Sequence, residues 1–341
     1  GSKTYQVQYR SGGATRRISL GKHGTVTCDE ARTEAKIILG DVNKGKDPSN
    51  ERAIYRGAPT VAQACERFMD EYVPSHCKAS TAKEYRRNID LFIKPRLGKM
   101  KVAEIERSDI ADLHHAHREI SYQANRTLGV LSVMFNQAEV WGLRTDGSNP
   151  CRHVKKYEEK KRERYLSTEE LIRLGQTLNE LEASGEEPLP PIHCIRLLIL
   201  TGCRLSEIQT LQWSYVQGNR LRLPDSKTGA KSVYLGPAAL EALGKIERFN
   251  DNPYVVTGKL PGTHLTDMQR PWRRIRRRAG LDDLRIHDLR PSFASSAVGM
   301  GESLPMIGKL LGHSQVQTTA RYAHLADDPV QVSADRISGE L

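Results

Sequence analysis

A series of short boxes ending at Tyr322 constrains this chain more than any other feature. Ile286-His287-Asp288-Leu289-Arg290 is followed by Leu311-Gly312-His313-Ser314 and then by Thr319-Ala320-Arg321-Tyr322-Ala323-His324. Upstream, Thr201-Gly202-Cys203-Arg204-Leu205-Ser206-Glu207 supplies another arginine, and Ser226-Lys227-Thr228-Gly229 a lysine in a turn. Two arginines, one lysine, two histidines and a tyrosine make a metal-free kit for phosphoryl transfer. A chain that uses them together has to fold so that side chains far apart in sequence meet at one phosphate.

Each residue type has a chemical reason. Phosphoryl transfer to a protein nucleophile builds negative charge on the non-bridging oxygens, and a planar guanidinium meets two of them with fixed bidentate hydrogen bonds. Arg204 and Arg290 are the candidates for that clamp. A phenol with an unperturbed pKa near ~10 is a poor nucleophile at neutral pH, so it needs a cationic field and a nearby base. His287 is the candidate base. A departing sugar hydroxyl must be protonated, and Lys227 on a flexible turn can reach it as general acid, while His313 would hydrogen-bond the phosphate. Lys231, four residues further on and beside the next strand, is the less favoured acid.

At these residues the chain strongly resembles the tyrosine recombinase (phage integrase) family, in particular integrases of temperate phages and genomic islands. Gly202-Cys203-Arg204-Leu205-Ser206-Glu207 matches the family's Gly-x-Arg-x-x-Glu box, and Lys227 fits its β-hairpin lysine. His287-Asp288-Leu289-Arg290 matches the His-x-x-Arg box, Leu311-Gly312-His313 the Leu-Gly-His box, and Tyr322 the nucleophile nine residues later. Each box alone is weak, whereas their joint order and spacing over residues 200–322 are highly specific. One departure is Pro291-Ser292-Phe293 after the second arginine, where members usually carry His-Thr-Phe. Proline is tolerated in a first helical turn, so a helix beginning at Arg290 or Pro291 is expected.

Composition agrees with a polyanionic partner. The net charge is +11 and the isoelectric point about 9.4, which favours a nucleic acid or an acidic surface. The excess of basic over acidic side chains is 5 in residues 1–57, 3 in 58–160 and 3 in 161–341. It is spread as expected if several modules touch one long duplex. The six cysteines are widely spaced without a Cys-x-x-Cys and read as free thiols in a reducing cytoplasm. With no signal peptide at the start and no apolar run near ~18 residues, neither secretion nor membrane insertion is expected.

The expected fold class is mainly α with small β-sheets, in several domains: 1–48, 59–152 and 165–341. Thr4–Tyr9 and Thr15–Leu20 alternate as strands about a Ser11-Gly12-Gly13 turn, and Thr27 with Glu30 opens a helix. This opening segment resembles the arm-type DNA-binding domain of such integrases at Leu20-Gly21, Ala31-Arg32 and Gly45-Lys46-Asp47-Pro48. The match starts inside that domain, so a truncated or short version is expected, and Gly1-Ser2 reads as a cloning scar or as native. Arg16 and Arg17 are its candidate DNA contacts, the alternative being a solvated sheet without a DNA role.

Residues 49–58 read as a polar linker. Helical patterns from Thr60 through Phe68, and near 79–95, 107–119 and 122–142, suggest a four-helix bundle. Thr81, Lys83, Arg86, Arg87 and Arg126 are candidate phosphate contacts there, although any one such residue is more often simply solvated. His114, His115 and His117 lie at the wrong helical spacing for a metal cluster. The charged run 153–164 reads as an interdomain linker, ending where Ser167 and Glu170 form a capping box. Trp213–Gln217, Arg220–Leu223 and Ser232–Leu235 read as a three-stranded meander. In Arg273-Arg274-Ile275-Arg276-Arg277-Arg278, Arg273 is a candidate phosphate contact, although Trp272 and Ile275 mark a buried face.

The resemblance implies an enzyme in which Tyr322 attacks a phosphodiester of double-stranded DNA, leaving a 3′-phosphotyrosine and a free 5′-hydroxyl. No cofactor and no metal are implied. It further implies a homotetramer acting on two attachment sites to integrate or excise a mobile element such as a viral genome. An accessory DNA-bending or directionality factor is a candidate partner, and the bacterial cytoplasm, at the nucleoid, is the expected location. Two alternatives use parts of the same evidence: DNA relaxation like that of a type IB topoisomerase, and a non-catalytic DNA-binding regulator.

Overall fold

The computed structural model describes residues 1–159, 162, 164–224, 229–312, 319 and 338. The chain splits into two compact units, Gly1–Lys161 and Arg162–Leu341, both mainly helical and each carrying one small antiparallel sheet. Among the described residues no helix is long and apolar enough to cross a membrane.

The first unit opens on a hairpin of β1 (Thr4–Ser11) and β2 (Ala14–Lys22). Gly12 and Gly13 both adopt positive φ (56° and 79°), the conformation of the tight turns whose twist matches that of paired strands. Alternation along the strands buries Val7, Tyr9 and Ile18 against Ile38 of the Cys28–Asn43 helix. Thr27 and Glu30 cap that helix reciprocally: the Thr27 hydroxyl accepts from the Glu30 N–H at 3.3 Å and the Glu30 carboxylate from the Thr27 N–H at 2.8 Å.

The expected linker at 49–58 is instead a helix, Pro48–Gly57. Asp47 caps it through the Asn50 N–H, and Pro48 occupies the first turn, where its missing N–H costs nothing. It buries none of its residues, so an apolar periodicity could not announce it. Asp47 also accepts from the buried Tyr9 hydroxyl at 2.7 Å, tying the helix start to the hairpin.

A helical bundle follows, with long helices at 61–76, 79–97 and Ser121–Val140 and a shorter one at Arg107–Ala116. The first two each contain a single π turn, Phe68–Tyr72 and Ile89–Ile93, and each π turn is followed two residues later by a proline, Pro74 and Pro95. A proline inside a helix lacks the N–H donor and its ring collides with the carbonyl four residues back; widening the preceding turn removes the collision. Phe68, Ile89, Ile93, Leu131, Met134 and Phe135 fill the core. Buried Asn88 is satisfied within it, accepting from Gln123 and Thr127 and donating to the Glu84 carbonyl.

The described part of the charged run 153–164 forms no helix or strand, but it is held. Buried Asn125 donates to the Tyr157 carbonyl and accepts from its N–H, both at 2.9 Å, while the Tyr157 ring stacks on buried His114 at 4.3 Å. In the second unit, Arg164 forms a fork with the Glu170 carboxylate (2.8 and 2.7 Å) and reaches Asp283 at 2.8 Å.

That unit packs Leu174, Leu178, Ile192, Ile195 and Trp272 into one core with the meander β3 (Val216–Gln217), β4 (Arg220–Leu223) and β5 (Lys231–Tyr234). The first strand is shorter than expected. Trp213–Tyr215 forms a 3-10 turn because the Trp213 N–H bonds to the Pro253 carbonyl, drawing that stretch out of the meander. The helix expected from Arg290 or Pro291 begins at Leu289, which leaves Pro291 within its first turn.

Asn125→Ala should release the linker. We expect trypsin to cut at Lys155 and Lys156 several times faster in the folded protein, with a global stability loss of about 1–3 kcal/mol from the stranded polar groups; unchanged cleavage in limited proteolysis would contradict the anchoring.

Candidate active site

The site is built on two helix ends and a strand. The Leu189–Thr201 helix terminates at Gly202, whose φ is +61°. A Cβ there would lie 2.7 Å from the Phe293 ring and 2.9 Å from Leu311, so both backbone sign and space call for glycine. The chain then turns through Cys203 into the short helix Leu205–Gln209. Glu207 folds back from it: its carboxylate accepts from the Arg204 backbone N–H at 2.8 Å and from Arg204 Nη1 at 2.9 Å. Oε2, the oxygen that takes the backbone N–H, also accepts from Lys231 Nζ at 2.7 Å. The Glu207 and Lys231 side chains are only 3% and 8% exposed, and Arg204 18%.

Arg290 joins two other parts of the chain. From the Leu289–Gly299 helix, its Nη1 donates to the Gly202 carbonyl at 2.6 Å and its Nη2 to the Leu311 carbonyl at 2.8 Å. Leu311 ends the Leu304–Leu311 helix, and Gly312 follows at φ +66°. A Cβ on Gly312 would lie 2.7 Å from Lys231 Cδ. His287 is exposed in the 3-10 turn Ile286–Asp288. Asp288 stabilises that turn by accepting from the Arg285 N–H at 2.8 Å, and Ser292 links it to the Leu166 N–H.

Of the residues singled out in the sequence, the structure pairs Arg204 with Glu207 and bonds Arg290 to the Gly202 and Leu311 carbonyls, the first of them two residues before Arg204, with His287 three residues before Arg290. Lys227, His313 and Tyr322 lie outside the described residues. Lys231, set aside in the sequence as the less favoured acid, is a full member of the cluster. A signal for it existed: Lys231 shares strand parity with buried Val233, and a lysine on the inward face of a strand needs a partner.

The candidate DNA contacts divide by what they already hold. Arg17 lies on the outer face of the hairpin, hydrogen-bonded to Gln8 at 2.9 Å, whereas Arg16 reaches Asp47 at 3.5 Å. In the bundle Lys83 is exposed and Thr81 half-buried. Arg86 donates to Glu66 at 2.6 Å, Arg87 to Gln123 at 3.3 Å, and Arg126 sits 3.6 Å from Glu159. In the Gln269–Arg278 helix, Arg274 and Arg278 pair with Glu187 and Glu186, and Arg273 is exposed.

Burial would raise the Glu207 pKa, but the hydrogen bonds from Lys231 and the Arg204 backbone N–H outweigh it and hold the carboxyl below its ordinary value. Burial pushes the Cys203 thiol up, which keeps it protonated beside this charge cluster.

Comparisons with known proteins show what the chain is similar to. Residues 164–328 match the family model described as the phage integrase family, residues 1–54 the arm DNA-binding domain, and residues 60–116 the phage integrase N-terminal SAM-like domain. Tyrosine recombinase XerD of Rhizobium meliloti is 28% identical over 270 residues, covering 73% of this chain and 86% of that protein. The integrase of Salmonella phage P22 is 29% identical over 194 residues, 52% of this chain and 48% of that one. Among solved structures, a lambda integrase tetramer bound to a Holliday junction superposes with a TM-score of 0.65 at 20% identity, covering 94% of this chain and 92% of that chain. The Tn1549 transposon integrase in complex with circular intermediate DNA gives 0.60 at 17%, covering 81% and 99%. At these identities the structural likeness is one of fold.

Because the Glu207 pKa is depressed on folding, its contribution to stability is full above its ordinary value of 4.5 and is lost as pH falls through the lower folded value. Glu207→Gln should therefore remove part of the acid-side fall in stability. Urea midpoints measured from pH 6 down to about pH 3 check this, and an acid limb identical to wild type would refute the assignment.

Proposed function

The chain belongs to the phage integrase family of tyrosine recombinases, and we propose that it is a site-specific DNA recombinase that integrates or excises a mobile element through covalent attachment to Tyr322. The observation that carries this reading is that Arg290 bonds the Gly202 and Leu311 carbonyls while Arg204, two residues after Gly202, is held by Glu207, in a chain whose boxes continue to Tyr322. Arg204 and Arg290 supply the guanidinium charge that a scissile phosphate requires as its oxygens become more negative. His287 takes the proton of the Tyr322 hydroxyl as that oxygen attacks phosphorus. The 5′ oxygen leaves and takes a proton from Lys227, with His313 hydrogen-bonded to the phosphate. The products of the step are a 3′-phosphotyrosine and a 5′-hydroxyl. The 5′-hydroxyl of a second duplex reverses the step, so the energy of the broken bond is retained in the adduct.

The reading extends to the rest of the chain: residues 1–48 as an arm-type DNA module, 59–152 as a core-site clasp and 165–341 as the catalytic domain. Arg17 on the outer face of the hairpin is the arm contact we favour, and Arg16, engaged with Asp47, a support for the fold. The working assembly is a homotetramer on two attachment sites at the nucleoid, with an accessory bending or directionality factor choosing between integration and excision.

Tyr322→Phe should bind its DNA with wild-type affinity and form no SDS-resistant protein–DNA adduct. An adduct that persists in this variant, or maps by peptide analysis to Tyr234 or Tyr254, would overturn the nucleophile assignment.

For the arm module, Arg17→Ala should flatten the dependence of log affinity on log salt for long DNA by roughly 0.9, one phosphate contact, whereas Arg16→Ala should leave that slope alone. Equal slopes for both variants and wild type would remove the hairpin from the DNA interface.

A further inference from the structure

We infer that Lys231 is a positioning residue for strand cleavage: its ammonium holds Glu207, and through it Arg204, while its stem backs the Gly312 turn that leads into His313. The inference rests on the recombinase reading above and adds a residue to it.

The argument is one of geometry. Lys231 opens β5 on the side of the strand that carries buried Val233, and its side chain runs inward. Its Nζ donates to Glu207 at 2.7 Å, and its Cδ lies where a Cβ on Gly312 would come to 2.7 Å. The same Glu207 carboxylate takes the Arg204 backbone N–H and Nη1. Arg290 links the Leu311 carbonyl, one residue before Gly312, to the Gly202 carbonyl, two residues before Arg204. These contacts form a closed ring: Arg204 to Glu207, Glu207 to Lys231, Lys231 to Gly312, Leu311 to Arg290, and Arg290 to Gly202. Lys231 is the member that joins the meander to the two arginine boxes.

This placement also separates Lys231 from the general acid. To protonate a departing oxygen its ammonium would have to leave Glu207, stranding a carboxylate that is 3% exposed beside one remaining cation. A buried ion pair of this kind serves orientation, since active-site groups must be held within roughly 0.5 Å of productive geometry and a misplacement of about 1 Å costs on the order of 10²-fold in rate.

The test measures single-turnover adduct formation on a nicked suicide duplex carrying the sequence at which the wild-type protein forms adducts on genomic DNA. Lys231→Met should form adduct roughly 10- to 100-fold more slowly at saturating protein, with an unchanged dissociation constant for the duplex. Lys231→Arg, which can still reach Glu207, should recover most of the rate. Replacing the 5′-bridging oxygen by sulfur should rescue Lys227→Ala and leave Lys231→Met slow. The double variant Lys231→Met with Glu207→Gln should be no slower than the slower single variant, because the two act as a unit. Should Lys231→Met fail to fold, Lys231→Gln with Glu207→Gln carries the same expected slowing. A wild-type rate in Lys231→Met overturns the inference, and rescue of that variant by sulfur overturns it in favour of an acid. Absence of any adduct from the wild-type protein overturns the recombinase reading itself, and this inference with it.

Discussion

A carboxylate taken out of water survives in its charged form only where N–H groups and cations replace its hydration, and the second unit is arranged around meeting that condition at Glu207. The replacement comes from three directions: the backbone and guanidinium of Arg204 on the same helix end, and the ammonium of Lys231 from the meander. None of the three is optional, because removing one cation leaves the buried charge short of a partner. Arg204 is thereby held in one orientation while it keeps some exposure, which is the combination a phosphate clamp requires.

The two glycines of the boxes follow from the same packing. Gly202 and Gly312 each end a helix in the left-handed conformation, and each has a side chain pressed where its own Cβ would be. Ending the helices this way turns the Gly202 and Leu311 carbonyls toward Arg290, which donates to both. A glycine two residues before Arg204 and another directly before His313 are thus spaced by geometry. Arg290 reads the backbone on either side, so an error in one box would be transmitted to the other.

Charge bookkeeping needs the fold as well. The excess of +11 suggests many cations available to DNA, yet several basic side chains singled out as contacts already answer an acid or amide of the protein, among them Arg16, Arg86, Arg87 and Arg126. The arginine-rich helix at Gln269–Arg278 is similar, with Arg274 and Arg278 turned to Glu187 and Glu186. The linker tells the same story: it has no periodicity of its own, but Asn125 and His114 receive Tyr157, and Glu170 and Asp283 receive Arg164.

What the sequence determined by itself was whatever depends on local chemistry and spacing. The alternation of the hairpin, the caps at Thr27 and Ser167, the bundle's helical stripes and the ordered boxes were all readable, because period and box order are properties of neighbouring residues. Helix Pro48–Gly57 escaped because it buries nothing and carries no stripe, and Trp213–Tyr215 left the meander because a distant carbonyl, that of Pro253, claimed its backbone. Only the tertiary structure decided that Lys231 answers Glu207 and that Arg290 spans Gly202 and Leu311. Those partners lie 24, 88 and 21 residues apart in sequence, and no local rule selects among the chain's many cations the one that comes to rest beside a buried carboxylate.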